Sequence, residues 1–111
     1  MNEAEGARIL AECFERAGLT IARDVRWQEG GVDVTLDGWD AARRIGFELI
    51  TTEAGDREEF TPAVVAELEA RMEREELFLF LVDERVVPSA EALTRAAEGF
   101  LAVLRDRAKL P

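Results

Sequence analysis

The chain contains no histidine and no tyrosine, and its single lysine is Lys109. Without His, the usual proton shuttle at neutral pH is missing. Without Tyr, there is no phenolic nucleophile. The other basic residues are all Arg, which stays protonated and is a poor general base. Cys13 is the only cysteine, so an intramolecular disulfide and a Cys-rich zinc site are both excluded. It falls among the apolar positions of a predicted helix, where a buried structural thiol is expected. Three Pro and eight Gly leave little material for flexible linkers. No apolar run approaches the roughly 20 residues needed to span a bilayer. The acidic start, MNEAEGAR, lacks a signal-peptide pattern. A soluble cytoplasmic protein that does not engage a membrane is therefore expected.

What is present fits one domain over residues 1–111. The length suits a single compact unit, and a hydrophobic content of 48% supplies a core. Acids outnumber bases 24 to 14, for a net charge of −10. That field repels phosphate and disfavours nucleic acid as a partner.

Hydrophobic periodicity orders the elements. Residues 3–17 place Ile9, Leu10, Cys13, Phe14 and Ala17 on one helical face, and Gly18 is the expected stop. A first strand is predicted from Asp24 to Glu29. Gly30-Gly31 then signals a hairpin turn. In the second strand, Val32 to Leu36, valines and leucine alternate with Asp33 and Thr35. Asp37-Gly38-Trp39-Asp40 reads as the next turn. The third strand, about Arg43 to Thr51, puts Ile45, Phe47 and Leu49 on one face and Gly46, Glu48 and Ile50 on the other. A solvated acidic loop is expected from Glu53 to Glu59. Thr61-Pro62 starts a helix, with Val65, Leu68 and Met72 as its buried stripe and a Glu67–Arg71 pair outside it. The run Leu77 to Val82, apolar on both faces, reads as a central strand covered on both sides. Pro88-Ser89 opens the last helix, which reaches about Arg107. The order is αβββαβα. It predicts a mixed four-stranded sheet flanked by helices, an α/β (α+β mixed) fold with a right-handed crossover into the fourth strand.

Two strand acids are candidates for chemistry, because neighbouring carboxylates can hold a hard divalent cation. They are Asp33 and Glu48. With the strand IGFELIT and the element order, they give a pattern that resembles the restriction-endonuclease-like, or PD-(D/E)xK, nuclease superfamily. The resemblance implies Mg or Mn held by Asp33, Glu48 and the Leu49 carbonyl, with a metal-activated water as nucleophile. An acid on the first helix, if used, would fall on Glu5 or Glu12. The motif lysine falls on Ile50, which cannot position or deprotonate water. Gly31 or Val32 stands where the motif proline often lies. Arg43 or Arg71 would supply charge but no base.

The plain alternative for Asp33 and Glu48 is cross-strand pairing with Arg26, Arg43 or Arg44. Ile50 is expected in the core. Trp39, at a predicted hairpin tip, is either folded onto the sheet or an anchor for a partner. The reading is a non-catalytic domain of this type, with a structural or protein-interaction role and a homo-oligomer or another protein as partner. One alternative is a Mg/Mn-dependent nuclease with an atypical site lacking the motif lysine. Another is an acidic inhibitor or a DNA-mimic protein.

Overall fold

Asn2 starts the first helix. Its side chain accepts the Glu5 N–H at 2.8 Å, and Glu3 and Glu5 place acids in the positive first turn. Helix α1 (Glu3–Arg16) buries Leu10, Cys13 and Phe14. Just past its end Gly18 takes φ +97°, a backbone conformation open to glycine at little cost. Strands β1 (Ala22–Glu29), β2 (Val32–Asp40) and β3 (Ile45–Ile50) follow, then a one-turn helix α2 (Asp56–Glu59), helix α3 (Pro62–Glu73), strand β4 (Phe78–Asp83), a 3-10 turn at Glu84–Val86, and helix α4 (Ala90–Asp106). The structure is a computed structural model that describes residues Met1–Pro111. No helix is long and apolar enough to cross a membrane.

The sheet order is β1-β2-β3-β4. The first three strands are antiparallel, and β4 runs parallel to β3. The expected mixed four-stranded sheet with flanking helices is thus present. The predicted starts of both later helices also hold. Thr61 accepts the Val64 N–H and Ser89 accepts the Ala92 N–H.

The sheet separates two apolar layers. Under α1 and α4 lie Phe14, Ile45, Phe47, Leu49, Leu93 and Leu101. Under α3 lie Trp27, Val34, Leu36, Trp39, Leu68 and Leu79. The alternation in β3 is as expected, with Ile45, Phe47 and Leu49 in the first layer and Ile50 against the second. At Gly46 the strands approach so closely that a Cβ would meet the Gly38 carbonyl oxygen.

Four expectations are corrected. Strand β2 does not stop at Leu36 but runs to Asp40, because Gly38 and Trp39 pair with both neighbours and Asp40 pairs with Ile45 of β3. Trp39 is therefore not a hairpin tip. It is 6% exposed, lies edge-on to Trp27 with ring centroids 6.1 Å apart, and has Arg44 over its ring. Its ring is packed in the α3 layer rather than held out at a turn. Strand β4 is covered on both faces but lies at the edge of the sheet, since β3 is its only neighbour. Arg71 is buried rather than outside. It reaches under the β1–β2 turn to donate to the Glu29 and Gly30 carbonyls, and it stacks over Trp27.

That clamp generates a prediction. Arg71→Ala removes two charge-assisted hydrogen bonds and the stacking on Trp27, so urea denaturation should show a loss of about 1.5–3 kcal/mol. Glu67, its exposed partner at 2.9 Å, should matter far less, with Glu67→Ala costing within about 0.5 kcal/mol. Equal losses for the two variants would contradict the clamp.

Candidate functional site

The ladder between β2 and β3 holds only three pairs, ending at Gly38 opposite Phe47. One step further the register sets Asp37 opposite Glu48, and there side chains replace backbone pairing. The Asp37 N–H donates to Glu48 Oε1 at 2.9 Å. The Leu49 N–H donates to Asp37 Oδ2 at 2.8 Å. On the other side of Asp37, β1 is irregular. Asp24 takes φ +52° and drops out of the β1–β2 ladder, and Arg23 donates to the Asp37 carbonyl at 3.2 Å. The two strands are held together here by carboxyl groups.

Two more acids converge. Asp56, at the start of α2, accepts the Thr51 N–H at 2.9 Å and the Thr51 hydroxyl at 3.2 Å. It lies within hydrogen-bond reach of Glu48. Glu3, in the first turn of α1, is within reach of Asp37. Glu48 is 1% exposed, and its Oε2 has no partner. No Arg or Lys forms an ion pair with any of the four.

Burial without a counter-charge favours the neutral acid. Desolvation pushes Glu48 up to about 11, with the charges of Asp37 and Asp56 adding to it. Desolvation pushes Asp37 up to about 7. The Leu49 N–H opposes that rise, and Glu3 and Asp56 add to it. Glu3 is raised as well, first by burial and then by Asp56. At neutral pH Glu48 carries a proton.

The other predicted site residues lie elsewhere. Asp33 sits opposite Gln28, toward the far end of β2, about 13 Å along the strand from Asp37 at roughly 3.3 Å per residue. It is exposed and makes two bonds with Arg26, at 3.1 and 2.8 Å, and one with Gln28. The cross-strand pairing weighed for it is what the structure shows. Glu12 is exposed and pairs with Arg8 at 2.9 Å. The acid that α1 contributes is Glu3, rather than Glu5 or Glu12. Leu49 is in place, but its amide contacts Asp37. Ile50 packs against the α3 layer. Arg43 and Arg71 do not reach the cluster.

Asp37 was missed because Asp-Gly is a strong turn signal. The signal that finds it is register. Asp37 and Glu48 are equidistant from the middle of the turn Ala41–Arg44, so a continuous β2 must set them opposite each other.

A divalent cation would be the ordinary partner of such a cluster. The residues as placed do not fit one, since no group of three acid or thiol side chains is arranged to hold a metal ion. None of the five principal surface hollows is lined by Asp37 or Glu48. No family model matches the chain, nor does any curated protein or solved structure.

The raised acids fix the sign of a pH dependence. A group whose folded pKa lies above its unfolded value supports the fold at low pH and withdraws that support as pH rises. For Asp37 the window runs from its ordinary value near 3.8 to about 7. Stability in urea should therefore fall between about pH 5 and pH 7. Asp37→Asn should flatten that slope by about 1.4 kcal/mol per pH unit, the contribution of one proton. A wild-type stability that rises over this interval would contradict the assignment.

Proposed function

We propose that this chain is a restriction-endonuclease-like domain whose acid cluster performs no phosphodiester chemistry, and that it works as a structural or protein-interaction module. The observation that carries this reading is Glu48. It is buried, desolvation pushes its carboxyl toward the neutral form, and no Arg or Lys pairs with it. A nuclease site of the PD-(D/E)xK kind needs ionised carboxylates, an open path for a phosphodiester and a positive group beside the water. Here the acid is closed off. The position that would carry the lysine is Ile50, packed into an apolar layer. The element order supports the likeness in architecture. Asp37 takes the place that Asp33 was expected to hold as the first strand acid, opposite Glu48.

Without ionised ligands the acids do not organise a nucleophile. What they do is satisfy amides where two strands part. This makes the cluster a latch in the scaffold and leaves the surface to carry the function. The net charge of −10 disfavours nucleic acid as that surface's partner, and favours another protein or a second copy.

The test is a cation titration followed by a cleavage assay. With Mn²⁺ or Mg²⁺ near pH 7, the melting temperature should show no saturable rise that depends on Asp37 and Glu48, and DNA and RNA should remain uncut. A rise that follows binding linkage and disappears in Asp37→Asn and Glu48→Gln would overturn the reading. So would cutting by the wild type that Glu48→Gln abolishes.

A further inference from the structure

Most of the arginines are committed. Eight of the 13 form ion pairs with carboxylates, and Arg23 donates to the Asp37 carbonyl. Arg16, Arg43, Arg95 and Arg105 have no carboxylate partner. Three of these four stand along one seam, where α1 and α4 pack together.

A hollow of about 540 Å³ opens in that seam, within the size range of small-ligand pockets. Arg8, Glu12 and Arg16 line it from α1, and Glu91 and Arg95 from α4. Arg8 and Glu12 pair with each other at 2.9 Å. Glu91 stands in the first turn of α4, where the positive helix end favours it. Arg16 donates only to the Cys13 sulfur, at 3.5 Å, a weak acceptor. Arg95 has no ion-pair partner at all. Arg105 lines the next hollow along the seam with Glu98, and Arg16 is shared between the two hollows. The net charge of −10 does not decide the field here. At physiological salt, exposed acids more than about 8 Å away are largely screened, so the uncommitted guanidiniums of Arg16 and Arg95 set the local potential.

We propose that this hollow binds a small dianion carrying a phosphate group, held by Arg16 from α1 and Arg95 from α4. A phosphate monoester carries a charge of about −1.5 to −2 near pH 7, which matches two guanidiniums brought from two helices. Its three free oxygens accept from both forks at once. A carboxylate has one charge and two oxygens, and a single guanidinium satisfies it. The hollow is larger than a phosphate ion. Half-buried Ile9 and Ala90 also line it, and they offer an apolar side to the organic part of an ester. Glu91 opposes the anion and limits its affinity. The proposal goes beyond the reading of the acid cluster and does not rest on it, since none of Glu3, Asp37, Glu48 and Asp56 lines the hollow.

Amide chemical-shift titration of the ¹⁵N-labelled full chain tests it, with inorganic phosphate, phenyl phosphate and acetate as probes at constant ionic strength. Phosphate should saturate one site with a Kd of about 1 mM, and acetate should bind about tenfold more weakly or worse. Tighter binding of phenyl phosphate would assign an organic phosphate, and equal binding the free ion. Arg16→Gln and Arg95→Gln should each weaken phosphate about tenfold, the loss of one charge-assisted contact. Glu91→Gln should tighten it, and Arg43→Gln, outside the hollow, should leave it unchanged. Arg16 and Arg95 are exposed, so their variants should melt as the wild type does without phosphate. No saturable binding of either phosphate would overturn the proposal. So would acetate binding as tightly as phosphate, or Arg43→Gln weakening phosphate as much as Arg95→Gln does.

Discussion

The structure turns on two carboxyl groups that stand in for a backbone ladder. Strand β2 pairs with β1 along most of its length, yet with β3 only over Gly38–Asp40. Where β2 and β3 part, the Asp37 and Leu49 amides would be left buried and unpaired, which is costly. Glu48 and Asp37 satisfy them. The arrangement requires two acids inside the fold, and with no cation opposite them it also requires a proton. Ile50 belongs to the same constraint. It lies two residues from Glu48 on the same face of β3, so a lysine there would bring a positive charge beside the pair and favour its ionised form. An apolar residue at that position and a protonated Glu48 go together.

Environment, not residue type, sets what each acid does. Asp33 and Asp37 are four positions apart on one strand. Asp33 faces Arg26, whose guanidinium bonds hold its carboxyl below the usual range. Asp37 faces other acids behind a closed surface, and burial raises it. Asp83 follows the first pattern, held well below the usual range by Arg57 and Arg85. These arginines pair with surface acids, while burial pushes Asp37 and Glu48, which have no cation beside them, toward the neutral form.

The parts legible in the sequence are those fixed by local pattern. The period of two in Ile45–Ile50 reveals which face each residue takes. Thr61-Pro62 and Ser89 mark helix starts, because capping is a short-range interaction. The parts that were not legible depend on partners far along the chain. Asp37-Gly38 carries turn chemistry, but pairing on both sides keeps it in a strand. Trp39 looks exposed until that strand is extended, and then it falls in the α3 layer. Arg71 looks like half of a surface pair until the β1–β2 turn is seen above it. A strand apolar on both faces reads as central, and only the sheet order shows that β4 has one neighbour. Of the candidate site, the inward face of Glu48 and the apolar packing of Ile50 were readable. The first acid was not, because its identity rests on register across a turn whose position the local signals misplace.

The account rests on Glu48 being a neutral acid inside a folded protein at neutral pH. The direct measurement is the side-chain carboxyl ¹³C shift of Glu48, followed by NMR from about pH 5 to about pH 8, with Glu48→Gln to assign the resonance. The account predicts that the signal stays at the protonated position across the whole range, while Asp37 titrates within it. A Glu48 carboxyl that is already ionised at about pH 5 would contradict the account. It would show that the cluster holds charge, and that a cation rather than a proton is what completes it.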